Sequence, residues 1–292
     1  MKNTRSFINN KNGLVCNGKI ISLEKPLVMG IINITPDSFY AKSQFVLQRQ
    51  IAKRAREILV QGGSIIDIGA CSTRPGAKLV SEKEEILRLS KGLTTIRKNF
   101  PDAIISVDTF RASVAKHVVN NFNANMINDI SAGNMDEKMI ETIASLSVPY
   151  IAMHMQGTPQ NMQQNPNYSN VVKELISFFA QKIEQLYKAG VRDVIIDPGF
   201  GFGKAIEHNY ALLQNLEAFK LFGLPILVGL SRKSMIYKVL NIKPDQALNG
   251  TTAINTIALF KGANILRVHD VKEAVETVSL ASLTKSQPKG FK

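Results

Sequence analysis

From Pro26 onward one two-part unit recurs eight times: a short, unbroken apolar run ending on a polar or glycine residue, then an amphipathic helical stretch. The runs are 27–32, 65–69, 104–108, 126–129, 150–154, 193–196, 226–230 and 265–269. The helical stretches cover about 45–61, 81–99, 111–121, 136–146, 168–189 and 207–219. A short helix after Ser231, a longer one over about 245–260 and a last one to about 283 complete the series. Continuous rather than alternating apolar runs fit parallel strands covered on both faces. Eight such units in a chain of this length predict an α/β fold, a (β/α)8 TIM barrel, ahead of an open doubly wound sheet. Gly62-Gly63 closes the first helix, and Ser81 with Glu84 reads as a capping box for the second.

Ahead of the repeats, residues 13–23 read as a short N-terminal β-hairpin around Asn17-Gly18, a dipeptide that favours the type I′ turn. No linker or break in composition divides the 292 residues, so a single domain, 1–292, is expected, with the barrel over 26–285. No apolar run reaches the roughly 18–20 residues of a membrane span, and Met1 to Asn12 has no apolar signal core. With only Cys16 and Cys71, a disulfide framework is out of reach and a reducing cytoplasm is expected. The formal charge of +13 fits an anionic small substrate or a generally basic surface. No zinc-finger, single-strand-binding or recognition-helix pattern joins it, so no nucleic-acid or membrane partner is expected.

The most distinctive stretch is Asp197-Pro-Gly-Phe-Gly-Phe-Gly-Lys204. A buried strand stops at a carboxylate; Pro198 ends pairing; the glycines let the backbone turn closely; Phe200 and Phe202 stay available to flat rings. Neither the phosphate-loop spacing nor the dinucleotide fingerprint matches. In a barrel all strand carboxyl ends meet at one mouth. Asn33, Asp108, Asn128, Asp197, Lys233, Arg267 and His269 would land there, with loops carrying Ser72-Thr73-Arg74 and Ser231-Arg232. A lone Asp or Asn after a strand is usually a helix cap, and His154 reads as a hydrogen-bonded structural histidine. The same coincidence at seven of eight strand ends reads better as a site. Asp197 offers two oxygens to a planar pair of N–H donors, such as an aminopyrimidinone edge, which Asn128 and Asp108 can complete. Arg267 and His269, two apart on one strand, face one side and with Asn33 suit an anionic phosphate. Lys233 and Ser234, at a helix start, suit a carboxylate.

Eight motifs in register carry a family resemblance over about Pro26 to Leu283. They are Met29-Gly-Ile-Ile-Asn-Ile-Thr-Pro-Asp-Ser-Phe39, Ile66-Asp-Ile-Gly69 with Ser72-Thr-Arg-Pro-Gly-Ala77, Ser106-Val-Asp-Thr109, and Ile127-Asn-Asp-Ile130. Met153-His-Met-Gln-Gly157, the Asp197 stretch, Ser231-Arg-Lys-Ser234 and Arg267-Val-His-Asp270 follow. The chain resembles the dihydropteroate synthases. The resemblance implies a cytoplasmic, Mg2+-using homodimeric transferase that joins 4-aminobenzoate to a dihydropterin diphosphate and is a sulfonamide target. By matched position it implies pterin at Asp108, Asn128, Asp197 and Lys233. Diphosphate would meet Asn33, Arg267 and His269, with Asn33 also near the metal. Aminobenzoate would meet Thr73, Arg74, Pro75, Phe202, Lys233 and Ser234. Asn33, Arg74, Lys233, Arg267 and His269 would carry the catalysis, and Phe39 and Arg74 would ride on loops closing the mouth.

Two departures stand out. Family members usually continue Asp-Ser-Phe with Ser-Asp-Gly-Gly; here Tyr40-Ala41-Lys42-Ser43 follows, leaving Ala41 where an acid is expected. The alternative reading is therefore a pterin-binding homologue with reduced or lost catalysis; a methyltransferase-type pterin domain is a third. Cys71, in place of the usual glutamate region of the second loop, reads as a packing residue.

Overall fold

The computed structural model describes residues 13–16, 18–34, 44–71 and 80–285, with 44 and 45 by backbone alone. Asn17, Phe39, Tyr40, Ala41, Lys42, Thr73, Arg74 and Pro75 lie outside these described residues.

Two hairpin strands, β1 (Gly13–Cys16) and β2 (Lys19–Ser22), pair antiparallel. Eight parallel strands follow: β3 (Leu27–Asn33), β4 (Ile65–Gly69), β5 (Ile105–Asp108), β6 (Met126–Asp129), β7 (Tyr150–Met153), β8 (Val194–Asp197), β9 (Leu227–Val228) and β10 (Ile265–Val268). Their order is β8-β7-β6-β5-β4-β3-β10-β9, and a parallel bridge from Ile196 to Ile226 joins the two ends of the sheet. The (β/α)8 barrel with its N-terminal hairpin is thus observed.

The intervening helices are α1 (Gln44–Val60), α2 (Glu82–Asn99), α3 (Ala112–Phe122), α4 (Met139–Leu146), α5 (Val171–Ala189), α6 (Ile206–Gln214), α7 (Ser234–Tyr237), α8 (Leu248–Lys261) and α9 (Val271–Lys285). Ser81 caps α2 by accepting the Glu84 N–H at 3.3 Å, but the Glu84 carboxylate turns to Arg88 instead, so only half of the expected box forms. Asn170 caps α5 and delays its start to Val171. The expected helix 207–219 breaks at Asn215, whose amide donates back to the Ala211 carbonyl, and a 3-10 helix over Leu216–Phe222 continues it. Strand 226–230 forms a ladder only at Leu227–Val228, with Ile226 adding the single bridge to Ile196, because Pro225 before it cannot donate and the chain then turns through Gly229 to the β9 loop.

Strand alternation sorts the barrel into shells. Val28, Ile32, Ile66, Ile68, Ile105, Val107, Ile127, Ile196, Leu266 and Val268 point outward into one core with the helices. The opposite parity faces the axis. Its lower layer is apolar: Met29, Ile65, Met126, Ile151, Ile195, Leu227 and Ile265. Leu14, Cys16 and Leu23 pack on that layer, so the hairpin plugs the amino-terminal end of the barrel. Two residues further up β4, β6, β8 and β10 the same parity presents Asp67, Asn128, Asp197 and Arg267 to the mouth, and β5 adds Asp108 two residues above Ser106.

Leu14 is 1% exposed, so Leu14→Ala should destabilise the fold by about 2–5 kcal/mol through lost transfer energy and an unfilled space. Urea unfolding measures this.

Candidate active site

Strand register sets the level of each polar side chain. Asn33 pairs with Gly69, Gly69 with Asp108, and Asp108 with Asn128, so these ends lie side by side on the rim. Gly69 leaves room here: a Cβ would stand 3.2 Å from the Asp108 Cβ. Arg267 reaches across from β10. Its Nε donates to Asp67 Oδ2 at 2.6 Å and its Nη2 to Asp108 Oδ2 at 2.8 Å. Asn128 Nδ2 also donates to Asp67 Oδ2, at 3.4 Å. Among the described residues no donor reaches the buried Asp67 Oδ1, nor a partner the Ser106 hydroxyl beside it in register, which leaves polar capacity inside the mouth for a ligand.

The β8 loop forms the opposite wall. Asp197 is buried and accepts the Gly199 N–H at 2.8 Å. Gly199 takes φ +69°, and a Cβ there would lie 1.9 Å from the His154 carbonyl oxygen, so glycine is required. Phe200 is fully buried in the core and is not available to a ligand, contrary to the expectation from sequence: its ring fills space behind the strands. Phe202 stays half-buried with the Lys233 ammonium 4.6 Å from its ring centroid. Lys233 Nζ also donates to the Phe200 carbonyl. Lys204, itself buried, donates to the carbonyls of Gly199 (3.0 Å), Phe202 (2.9 Å) and His154 (3.3 Å), and its Nζ lies 3.1 Å from His154 Nδ1. His154 is therefore structural, as expected; burial and the Lys204 charge hold its pKa down at about 3.

The rim over β9 and β10 is tied together. Arg232 grips Asp270 with two bonds (2.9 and 2.6 Å) and adopts φ +56°, delivering Lys233 and Ser234 to the head of α7. Ser231 Oγ accepts the His269 N–H at 3.2 Å. Arg54 from α1 donates to the His269 carbonyl (2.5 Å) and, at 3.4 Å, to that of Ile31, joining the ends of β10 and β3.

Electrostatics bind the two walls into one site. Burial raises the pKa of Asp108 to about 7 against the opposing pull of Arg267. Burial likewise raises Asp197, while Lys233, Arg267 and Lys204 act to lower it. Lys233 is lowered by burial to about 8 and Lys204 to about 7, with Asp197 resisting both shifts. Burial opposes protonation of Arg267, but Asp67 and Asp108 raise its pKa above the ordinary value. Asp197 and Arg267 thus feel each other's charge. His269 sits on the exposed rim; desolvation by the surrounding protein and then Arg267 and Arg232 lower it to about 4, so it meets a ligand as a neutral imidazole at pH 7. Cys71 is pushed up to about 12 by burial and Glu85, which fits a packing role.

Of the residues expected from sequence, Asn33, Asp108, Asn128, Asp197, Phe202, Lys233, Ser234, Arg267 and His269 stand around this mouth. Asp67, Lys204 and Arg54 were missed. Asp67 carried a signal, since a carboxylate within the apolar run Ile65-Ile66-Asp67-Ile68 needs a buried partner. A cavity of about 590 Å³ opens at the opposite end, lined by Pro26, Pro225, Asn264 and Lys285 among others; none of the converging residues lines it.

Residues 29–269 match the family of pterin binding enzymes, which defines the class of this barrel and mouth. The dihydropteroate synthase of Haemophilus influenzae is 45% identical over 88% of this chain and 94% of its own. That of Escherichia coli K12 is 41% identical over 94% and 96%. A Yersinia pestis dihydropteroate synthase solved as a sulfonamide drug complex superposes with a TM-score of 0.88 at 41% identity, covering 94% of this chain and 99% of that one. The chain belongs to the dihydropteroate synthase family and is, like its relatives, a transferase.

The raised pKa of Asp108 lies above the ordinary carboxylate range, so its proton stabilises the folded state at low pH and that contribution is lost as pH rises through about 7. Asp108→Asn mimics the protonated form. Its stability relative to wild type, read as the difference in Tm without ligand, should therefore rise from pH 5 to pH 8.

Proposed function

We propose that this chain condenses 4-aminobenzoate with 6-hydroxymethyl-7,8-dihydropterin diphosphate, releasing 7,8-dihydropteroate and diphosphate in folate biosynthesis. The observation that carries this reading is the inward parity shared by Asp67, Asp108, Asn128, Asp197 and Arg267 around one opening. A Thermus thermophilus dihydropteroate synthase solved in complex with 4-aminobenzoate, 35% identical with a TM-score of 0.83, supports the second substrate.

In this reading the pterin ring lies flat in the mouth. Asp197 takes the paired N–H donors of the aminopyrimidinone edge, and Asn128 and Asp108 take the remaining polar edge. Lys233 closes the carbonyl side. The diphosphate lies at the rim, where Asn33, Arg267 and His269 meet it, His269 as a neutral N–H donor. Aminobenzoate enters over Phe202, with its carboxylate toward Ser234 at the head of α7; the family resemblance adds Thr73, Arg74 and Pro75 to its binding. The bond between the pterin methylene and the diphosphate oxygen breaks first, both electrons leaving with diphosphate, and the ring spreads the positive charge. The neutral aminobenzoate amine then forms the C–N bond and loses its proton to solvent, so no strong general base is needed. Catalysis is charge stabilisation and exclusion of water.

Mg2+ belongs to the same proposal. Among the described residues no group of three or more His, Cys, Asp or Glu side chains could cage a metal, and Asn33 offers one amide oxygen at the exposed end of β3. A single hard oxygen donor fits Mg2+, which keeps several waters and takes phosphate oxygens readily. When bound it supplies charge neutralisation to the departing diphosphate.

A homodimer is also part of this reading. Ile257 and Phe260 of α8 and Leu280 and Leu283 of α9 are exposed, an apolar face that a second copy would cover. A 32.2 kDa species at micromolar concentration in sedimentation would contradict it. A cytoplasmic location fits the free thiols of Cys16 and Cys71, and no helix among the described residues is long and apolar enough to cross a membrane.

Purified protein with both substrates and Mg2+ should release diphosphate, and a sulfonamide should compete with aminobenzoate. Tight pterin binding without turnover would instead favour the catalytically reduced homologue, and restoration of rate by Ala41→Asp would identify its cause. Asp197→Asn should weaken pterin binding by about 1.5–3 kcal/mol, the range for a hydrogen bond to a charged group. Fluorescence titration checks this, and an unchanged affinity would remove Asp197 from the pterin edge.

A further inference from the structure

The loop after β8 has no strand or helix to satisfy its backbone, yet each of its five successive carbonyls is engaged by a side chain. Lys204 takes those of Gly199 and Phe202, and Lys233 that of Phe200. Gln163 Nε2 donates to the Gly201 carbonyl at 2.7 Å, and Tyr168 Oη to that of Gly203 at 2.8 Å. The last two donors come from the segment between β7 and α5. That segment is held in turn by Gln156, which donates to the Asn167 carbonyl (3.0 Å) and accepts its N–H (3.1 Å). The tolerance is small: a Cβ on Gly201 would stand 3.0 Å from Lys233 Cδ, and one on Gly203 would stand 2.4 Å from the Gln156 carbonyl oxygen. Phe202 is the one loop side chain that faces Lys233, and its backbone is fixed from below by Lys204 and from either side by Gln163 and Tyr168.

We propose that the segment between β7 and α5 is a positioning element of the aminobenzoate subsite, with Gln163 and Tyr168 bracing the glycine loop so that Phe202 stays against Lys233. Gln163 is solvent-exposed, and Tyr168 donates its hydroxyl to the loop while its ring packs on the core beside His154 and His208; the bonds both make to the loop go to its carbonyls, not to Asp197, Asn128 or Arg267. The pterin edge is set by Asp197 at the end of β8, by Lys233 from the β9 loop and by Asp108 and Asn128 on other strands, and the side-chain bonds of Gln163 and Tyr168 go to the carbonyls on either side of Phe202 instead. Loosening the brace therefore displaces Phe202 relative to Lys233 and affects the second substrate first. This inference rests on the proposed assignment of aminobenzoate to Phe202.

The test uses the full chain with the double substitution Gln163→Leu and Tyr168→Phe, which leaves the barrel core untouched. The KM for aminobenzoate should rise about tenfold while the Kd of the pterin diphosphate changes less than about twofold, the split that marks a residue acting on one substrate only. In a Phe202→Ala background the same double substitution should add little, because its effect passes through Phe202. Hydrogen exchange at the Gly201 and Phe202 amides should speed up while the amides of β5 and β6 do not change. Equal changes for both substrates, full additivity with Phe202→Ala, or unaltered exchange would overturn the proposal. Absence of turnover in the wild-type protein would instead remove the functional reading, and the exchange experiment would then decide the brace by itself.

Discussion

One guanidinium held between two carboxylates organises the mouth of this barrel. Arg267 reaches from β10 to Asp67 on β4 and Asp108 on β5, closing a bridge over β3, which lies between β10 and β4 in the sheet. Neither acid could stay ionised and buried alone, and neither could the arginine; breaking such a set by removing one partner typically costs about 3–5 kcal/mol. On the opposite wall the charges of Lys233 and Lys204 both act on Asp197. Three acids and three bases thus share the interior above an apolar plug. Their charges nearly cancel, which suits a neutral, polar-edged ring better than an ion. The rim, where Asn33 and His269 are exposed, lies outside this set.

The cost of this arrangement is visible in the shifted acids and amines. Asp108, Lys204 and Lys233 all have pKa values displaced by burial toward neutrality. Such groups are held in place by the fold around them: register sets Asp108 beside Asn128, and the arginine-aspartate clamp of Arg232 and Asp270 fixes the turn that delivers Lys233. The site is stressed and the scaffold beneath it compensates, a common division in enzymes.

Much of this was legible in the sequence because a parallel barrel converts one-dimensional pattern into position. A short apolar run ending on Asn33, Asp108, Asn128 or Asp197 marks both a strand and its place at the mouth. Parity would have added Asp67, which shares the inward face with Ile65 and Gly69. Phe200 and Phe202 look equivalent in sequence; the left-handed turn at Gly201 between them (φ +79°) breaks the two-residue parity, sending one ring into the core and leaving the other against Lys233. Lys204 looked like a basic residue at the end of a loop, whereas it supplies hydrogen bonds to three carbonyls that no ladder could satisfy. Its role depends on His154 meeting it from the end of the neighbouring strand β7, a contact that spacing alone does not encode. The shortened strand at Leu227–Val228 was hidden for a similar reason, since 226–230 is apolar throughout but Pro225 and Gly229 restrict its pairing.

The most direct measurement is a crystal structure of the protein with the dihydropterin diphosphate bound. The account predicts the aminopyrimidinone edge hydrogen-bonded to Asp197, the ring lying between that wall and Arg267, and the diphosphate beside Asn33 and His269. A pterin bound outside hydrogen-bonding reach of Asp197, or a diphosphate seated away from the rim of β3 and β10, would contradict it.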